Sequence, residues 1–368
     1  MSYNLIAVSN HGEMIGGGEH SFFELISKLP PEWKPMVILP CRGELANRFE
    51  SNRAATGILF LPPIRPCYIH LIIKCIFQLI KLSIKFQSCL IYANGSRAAF
   101  FSGIAGIVVK KPVIWHCRIA DSDPFLDPLL IRLADKIISN SRATAARFPK
   151  TIQKKVVVVH NGIDLKYITY GQNKALFSEE NNWKNILVVA RISRFKRHDT
   201  IISAFEKIAE KFAKVRLIIV GGQDCNEPEW WDEMQCRTAA SIFSERICWV
   251  GPVNDVRPFY LAASMMVLAS ENESFGRVIV EAMANGVPVI ATESGGIPEI
   301  LNNGIEGILF DVGRADQLAE AMELMLSQPE LASVFGAAGR MRAREFSIQK
   351  HVDEMSRIFH ETSEGFSR

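Results

Sequence analysis

At 368 residues and 41.2 kDa the chain is long enough for two domains with separate cores. Its hydrophobic content of 48% and charged content of 22% belong to a globular protein rather than a disordered one. The net charge of +3 hides an asymmetry: residues 1–165 hold 20 Lys+Arg against 11 Asp+Glu, and residues 51–120 hold nine basic residues and no acid. A basic half can face a membrane, a nucleic acid or an anionic substrate. No zinc-finger spacing or RNA-binding signature is present, so no nucleic-acid partner is expected. The eight cysteines include no C-x-x-C pair and no metal-like spacing, and read as reduced cytosolic thiols. The start, MSYNLIAVSN, lacks the basic and apolar runs of a signal peptide, so a cytoplasmic location is expected.

In chain order, NLIAVS (4–9) predicts a first strand. A loop with Gly16-Gly17-Gly18 then opens a helix around 18–29. Glycines at a strand-to-helix junction suit a phosphate, although the Rossmann G-x-G-x-x-G spacing is absent. Glu19 reads as a first-turn helix charge. PMVILP (35–40) is a strand and GELANRFESN a helix. The stretch 67–86 is long and apolar but carries Lys74, Lys81 and Lys85. Its apolar positions 69, 72, 73, 76, 79, 80 and 84 recur near helical spacing. Three mid-run lysines would be costly in hydrocarbon, so a transmembrane span is not expected. Two readings stay open: a basic amphipathic helix lying on an anionic membrane, or a core helix whose lysines face water. CLIYAN (89–94), PVIWHCR (112–118), ADKIISNS (134–141) and VVVVHNGID (156–164) are further strands, with SRAAFFSGIAGIVV a helix between the first two. His116 falls at a strand end, where α/β proteins place ligands; the alternative is a structural histidine. Asp121-Ser122-Asp123 has the form of a D-x-D metal site. It precedes Pro124 in a loop leading to a helix, which suits a cap and turn, and no metal is expected.

Residues 165–184 are polar and aperiodic and read as a linker. A second strand–helix series follows: NILVVA (185–190), a helix over 199–213, VRLIIVGG (215–222), ICWVG (247–251), a helix near 255–263, and MMVLAS (265–270). The stretch 271–299 is then loop, helix, strand, glycine-rich loop and helix. Asn285-Gly286 closes its first helix and Pro288 blocks continuation. A helix starting near Gly276 points unpaired N–H groups at the preceding loop, which favours an anion. Glu273 lies in that loop and Glu281 one to two turns into the helix. Two carboxylates flanking a phosphate site suit a ligand with a hydroxylated ring at each end of a diphosphate. GILFD (307–311) is the last strand. Alternation on both sides of a linker predicts two doubly wound sheets.

The string 271–299, with its glycine and proline punctuation, resembles the donor-binding signature of retaining glycosyltransferases of family 4. ARISRFKRHD (190–199) resembles that family's donor-phosphate loop, with Arg191 and Lys196 matching its Arg and Lys. Arg194 and Arg197 match no family position and read as surface charge. Gly16-Gly17-Gly18-Glu19 resembles the family's first loop, His116 its strand-end histidine, and VVVVHNGID the segment entering the interdomain linker. Ala190 departs from the usual Gly, and Ser264 and Ala269 from the common Asp and Pro; these touch local packing only.

The resemblance implies an α/β fold of two doubly wound Rossmann-like domains facing a cleft (GT-B). Domain 1–164 would take the acceptor, 165–184 would link, and 185–348 would bind the donor, with a C-terminal helix 349–368 packing back on the first domain. It implies a retaining transfer of a sugar from a nucleotide-diphosphate sugar to an acceptor hydroxyl of a glycan or lipid-linked saccharide. Arg191, Lys196 and the helix start at Gly276 would stabilise the leaving phosphate, and Glu281 would hold the ribose. Glu273 would hold the sugar with backbone groups near Phe275 and Gly276, and His116 would contact it from the first domain. Gly16, Gly17, Val278 and Ile279 complete the implied donor site. No cofactor beyond the co-substrate is implied, and the location would be cytoplasmic; of the two readings of residues 65–86, the membrane one would make it peripheral on the inner membrane face. Two rivals remain: a nucleotide-sugar epimerase of the same fold, and a non-catalytic nucleotide- or glycan-binding subunit.

Overall fold

The computed structural model describes residues 2–169 and 182–366. The chain forms two compact units, Met1–Gly162 with Ile348–Arg368, and Ile163–Ser347. In the first, strands β1 (Tyr3–Ser9), β2 (Trp33–Leu39), β3 (Ala55–Ile58), β4 (Leu90–Asn94), β5 (Val113–Cys117), β6 (Lys136–Ser139) and β7 (Val156–Val158) make one sheet. Its order is β3-β2-β1-β4-β5-β6-β7, with every neighbouring pair parallel. In the second unit, β8 (Lys184–Val189), β9 (Val215–Val220), β10 (Ile247–Gly251), β11 (Met265–Leu268), β12 (Val289–Thr292) and β13 (Gly307–Phe310) are ordered β10-β9-β8-β11-β12-β13. They too are parallel throughout.

Parallel strands must be covered on both faces, which explains why β1, β4 and β5 are near-continuous apolar runs. One face of the first sheet packs on helices Ile69–Phe86, Ser96–Val109 and Asp127–Leu133, through Ile72, Cys75, Leu79, Phe101 and Leu130. The other face packs on helices Gly17–Ser27, Glu44–Ser51 and Ile348–Glu364, through Phe22, Phe49, Met355 and Phe359. Trp33 Nε1 donates to Ser356 Oγ at 3.0 Å, tying the C-terminal helix to β2. In the second unit, Ile201, Phe205 and Met322 cover one sheet face and Ile279, Val280 and Met283 the other.

Strand order reverses between β1 and β4 in one sheet and between β8 and β11 in the other. At such a switch point the loops leaving the two strands diverge, and the crevice beyond the strand ends is where open α/β sheets bind ligands. The loops after β8 and β11 are residues 190–197 and 269–276. Of the expected linker, Leu165–Thr169 is a short helix with Ile168 buried in the second unit's core, and Lys184 already begins β8. Residues 170–181 lie outside the described residues.

Phe359 is fully buried between Trp33 and Tyr92, with ring centroids 5.4 and 5.3 Å away. Phe359→Ala is expected to cost the first unit about 3–5 kcal/mol, the range for deleting a buried aromatic. Denaturant unfolding of the full chain measures this. A loss within experimental error would mean that the C-terminal helix is not a structural part of the sheet's cover.

Candidate functional site

Around the second switch point two loops are held side by side. The Glu271 amide donates to the Phe195 carbonyl at 2.7 Å. Lys196 Nζ pairs with Glu273, and Arg197 Nη1 with Glu271. Arg197 also grips Asp199 through Nε and Nη2, both at 3.1 Å. Arg197, expected to be surface charge, is therefore the clamp of this junction, and it adopts φ +51°, a left-handed conformation uncommon for arginine. Its pKa is raised by the Asp199 and Glu271 carboxylates. Arg191 lies at the start of the same loop, where its Nε sits 3.2 Å from Asp224 Oδ2. Asp224 is buried, while 39% of the Arg191 side-chain surface remains exposed. The Asp224 partnership was missed; its only trace in the sequence is one acid after the Gly221-Gly222 strand end.

Glu273 is seated from below by the turn at 294–296. Gly296 N donates to the Glu273 carbonyl at 2.7 Å, and Asn272 N to Ser294 Oγ at 2.8 Å. Gly295 has φ +57°, and a Cβ there would stand 2.1 Å from the Glu273 carbonyl oxygen. Glycine is thus required twice over, by conformation and by contact. Gly276, at φ +98°, caps helix Arg277–Ala284. The Phe275 and Ile279 side chains are core, with Phe275 stacked edge-on against Phe346 at 5.8 Å. Only their backbone can meet a ligand, and the Ile279 amide already donates to the Gly276 carbonyl at 3.0 Å. Val278 is half-buried. Glu281 accepts from Tyr260 Oη at 3.0 Å and lies 3.5 Å from Arg277 Nη2. Arg191, Lys196, Glu273 and Glu281 all belong to the second unit, the first three in the loops after β8 and β11 and Glu281 in the helix that follows the second loop.

In the first unit, Gly16 precedes helix Gly17–Ser27, and its amide donates to Glu19 Oε2 at 3.1 Å. Glu19 folding back on the helix start is half of a capping box. Gly16 is extended, at φ −173°, and a Cβ there would meet nothing within 4 Å. Neither backbone nor packing demands glycine at that position. Gly17 is the first residue of the helix. His116 does not present its ring to solvent: it is 0% exposed, and its Nδ1 lies 2.7 Å from Tyr92 Oη. Burial holds its pKa well below the ordinary value, helped by Arg118 and His351. The side chain half-exposed at this strand end is Arg118. Its Nε donates to Asn94 Oδ1 at 2.6 Å and its Nη1 to Asn161 Oδ1 at 2.5 Å, while its Nη2 lies 3.4 Å from His116 Nδ1. Through Nδ1 the histidine faces Tyr92 and Arg118, while its buried Nε2 has no hydrogen-bond partner among the described residues. In PVIWHCR, residues 114 and 116 face one layer and the chain leaves the sheet only at 118.

Asp123 Oδ1 accepts the amides of Phe125 and Leu126 at 3.0 and 2.9 Å, the work of a turn cap. Asp127 forms a buried pair with Arg147 at 2.5 Å. Among the described residues no three His, Cys, Asp or Glu side chains are grouped as metal ligands would be. All eight cysteines are free thiols.

Fold and site together define a two-domain α/β protein of the GT-B class. The family "Glycosyltransferase Family 4" matches residues 15–167 and "Glycosyl transferases group 1" matches 171–342. The chain belongs to these family-4-like glycosyltransferases. It is 28% identical over 249 residues to N-acetyl-alpha-D-glucosaminyl L-malate synthase of Bacillus anthracis, covering 65% of this chain and 64% of that protein. It is 30% identical over 240 residues to D-inositol 3-phosphate glycosyltransferase of Thermobifida fusca, covering 61% and 54%. The matched region thus spans less than two thirds of these relatives' length. Among solved structures, Anabaena HepE in complex with UDP and glucose superposes with a TM-score of 0.84 at 21% identity, over 96% of this chain and 98% of that one. Sucrose-phosphate synthase from Thermosynechococcus elongatus gives 0.76 at 20% identity, over 98% of each. At such identities the likeness shows the fold.

His198 sits directly after the Arg197 clamp, fully buried, with neither ring nitrogen partnered among the described residues. Burial, with Lys196 beside it, lowers its pKa from 6.5 to about 4. The unfolded chain therefore binds this proton more tightly than the folded one. The contribution is complete above pH 6.5 and is lost as the pH falls toward 4. His198→Leu is expected to flatten the fall in stability across that window, read as wild type minus variant by denaturant unfolding at stepped pH. Parallel curves would show that His198 titrates normally.

Proposed function

We propose that this protein transfers a sugar from a nucleotide-diphosphate sugar to an acceptor hydroxyl with retention at the anomeric carbon. The observation that carries the reading is the gathering of Arg191, Lys196, Glu273 and Glu281 around the loop ends of β8 and β11 and the start of helix Arg277–Ala284. In the reaction the bond from the anomeric carbon to the diphosphate oxygen breaks, and negative charge grows on the leaving phosphate. Lys196, Arg191 and the helix N-terminus would supply positive charge there, which stabilises the transition state more than the ground state. Lys196 would turn from Glu273 to the phosphate, freeing the Glu273 carboxylate to accept from sugar hydroxyls. Glu281, oriented by Tyr260 and Arg277, would accept from the ribose. The acceptor oxygen attacks on the face the phosphate leaves, and its proton passes to that phosphate. No side chain on this sheet edge is assigned as a nucleophile, and no metal is assigned a step.

The acceptor proposed is a glycan or lipid-linked saccharide at the cytoplasmic membrane face. In the first unit, the open space at Gly16 leaves room for a ligand to approach that helix start. Solved complexes of Anabaena HepE with UDP and with UDP-glucose support a uridine nucleotide sugar as the first donor to try.

Lys196→Ala and Arg191→Ala are each expected to lower turnover by roughly two orders of magnitude, the scale for removing one transition-state charge partner. The assay follows nucleotide release with a UDP-sugar and acceptor panel. Wild-type turnover in either variant would remove that residue from the site. Proton NMR of the product should show the donor's anomeric configuration; the opposite anomer would exclude retention. EDTA should leave most of the rate intact, and complete loss restored by magnesium or manganese would assign a metal to the leaving group instead.

A further inference from the structure

The second unit carries a pocket at the far end of helix Arg277–Ala284 from Gly276 and the donor loops. Its volume is about 460 Å³. Leu165, Leu261 and Ala343 give it apolar walls, and Lys166, Arg340 and Arg344 give it three cations. No carboxylate lines it among the described residues. Two acids close by in sequence are engaged elsewhere: Glu345 pairs with Arg342 at 2.5 Å, and Asp164 Oδ1 accepts the Tyr167 amide at 3.1 Å. Basic side chains at a helix C-terminus complement its dipole, and that accounts for Arg340. Its Nη2 donates to the Asn285 carbonyl at 3.1 Å, and only the bare Gly286 admits it, since a Cβ there would stand 2.2 Å from that nitrogen. The Glu281, Ala282 and Met283 carbonyls are taken by the amides of residues 285–287, so this helix end makes little further call on cations. The same account does not cover Lys166, which a separate helix, Leu165–Thr169, brings to the pocket. Neither the Lys166 ammonium nor the Arg344 guanidinium has a hydrogen-bond or ion-pair partner among the described residues.

We infer that this pocket binds a phosphorylated small molecule of hexose phosphate size. Like charges gathered around one concave surface with apolar walls raise the local potential and draw in an anion. Arginine offers phosphate oxygens paired planar donors, and lysine a mobile point charge. The apolar walls suit a carbon skeleton, and the volume lies in the range of small-ligand sites. A cavity closed in by the ends of several helices, rather than a flat face, favours a small molecule over a macromolecule. A second copy of this chain would need an acidic projection to enter it, and three cations on each pocket would repel. The site stands on this pocket alone and does not rest on the transfer reaction proposed above.

The test is equilibrium dialysis of the full chain against labelled glucose 6-phosphate, with labelled glucose as the uncharged control. Wild type should bind the phosphate ester saturably and leave glucose unbound. K166A/R344A should weaken binding roughly tenfold or more, the scale for losing hydrogen bonds to a charged group. K166Q alone should weaken it in the same direction. Both positions are exposed, and unchanged thermal melts without ligand confirm folding. R191A/K196A should keep a saturable site for the ester, which separates this pocket from the donor loops. Three results would overturn the assignment: no saturable binding by wild type, or glucose bound as well as its phosphate; K166A/R344A binding as tightly as wild type; or loss of all binding in R191A/K196A, which would assign the ester to the donor loops.

Discussion

The site depends on one junction, the pairing of the loop after β8 with the loop after β11. A backbone hydrogen bond from Glu271 to Phe195 sets the spacing, and two ion pairs, Lys196–Glu273 and Arg197–Glu271, fix what each loop presents. The loops leave adjacent strands at the point where strand order reverses, which is where open α/β sheets bind ligands. Charged groups here are only partly desolvated: Lys196 and Glu273 side chains are each 14% exposed. A fully buried pair would need its attraction to offset a large desolvation penalty, whereas this one keeps access to water and to an incoming anion. Arg197 contributes differently. Bound by two carboxylates in a planar fork, it cannot turn to a ligand without releasing both, so it acts as scaffold while Lys196 remains exchangeable.

The junction also explains the glycines beneath it. The turn 294–296 must come within hydrogen-bonding distance of the Glu273 backbone, and any side chain at Gly295 would collide with that carbonyl. Gly276 is needed for its positive φ, which turns the chain from the Glu273 loop into helix Arg277–Ala284. Gly16 is a different case, since it is extended and its missing side chain would meet only open space. A glycine that the protein's own packing does not require is the kind of position where ligand approach offers a physical reason.

Most of the sheet framework was legible because buried parallel strands leave a strong signal: apolar runs of a few residues bounded by glycine, proline or charge. Four elements escaped, among them the short helices Arg142–Ala145 and Leu165–Thr169. Strand β3 reads ATGI, is half-exposed at the sheet edge and lacks the apolar run of its neighbours. Helix Pro228–Ala240 buries only Trp230, Met234 and Thr238, one residue per turn, so its periodicity is faint. In the site, Arg191, Lys196, Glu273 and Glu281 are legible as a linear motif, and all four fall in the second unit. The roles of Arg197, Asp224, Tyr260 and Arg118 were not readable. Each is defined by a partner 20 or more residues away that pattern alone does not reveal, as with Tyr260 and Glu281 or Arg118 and Asn161.

His116 and Arg118 show the limit most clearly. Strand-end position marks both, but one pleat separates a side chain under the C-terminal helix from one at the sheet's edge. In β5, Trp115 and Cys117 face the layer of helix Ser96–Val109, whereas Ile114 and His116 face the layer of helix Ile348–Glu364. The part of that layer facing His116 includes helix Ile348–Glu364, whose His351 ring lies 6.4 Å away, nearly 200 positions after Asn161. Burial of His116 is therefore a consequence of long-range topology. Once buried and neutral, its ring can accept from only one side, and the Tyr92 hydroxyl and the Arg118 guanidinium both converge on Nδ1. The histidine thus acts on the sheet edge through Arg118, by limiting the orientations open to the guanidinium that Asn94 and Asn161 already hold.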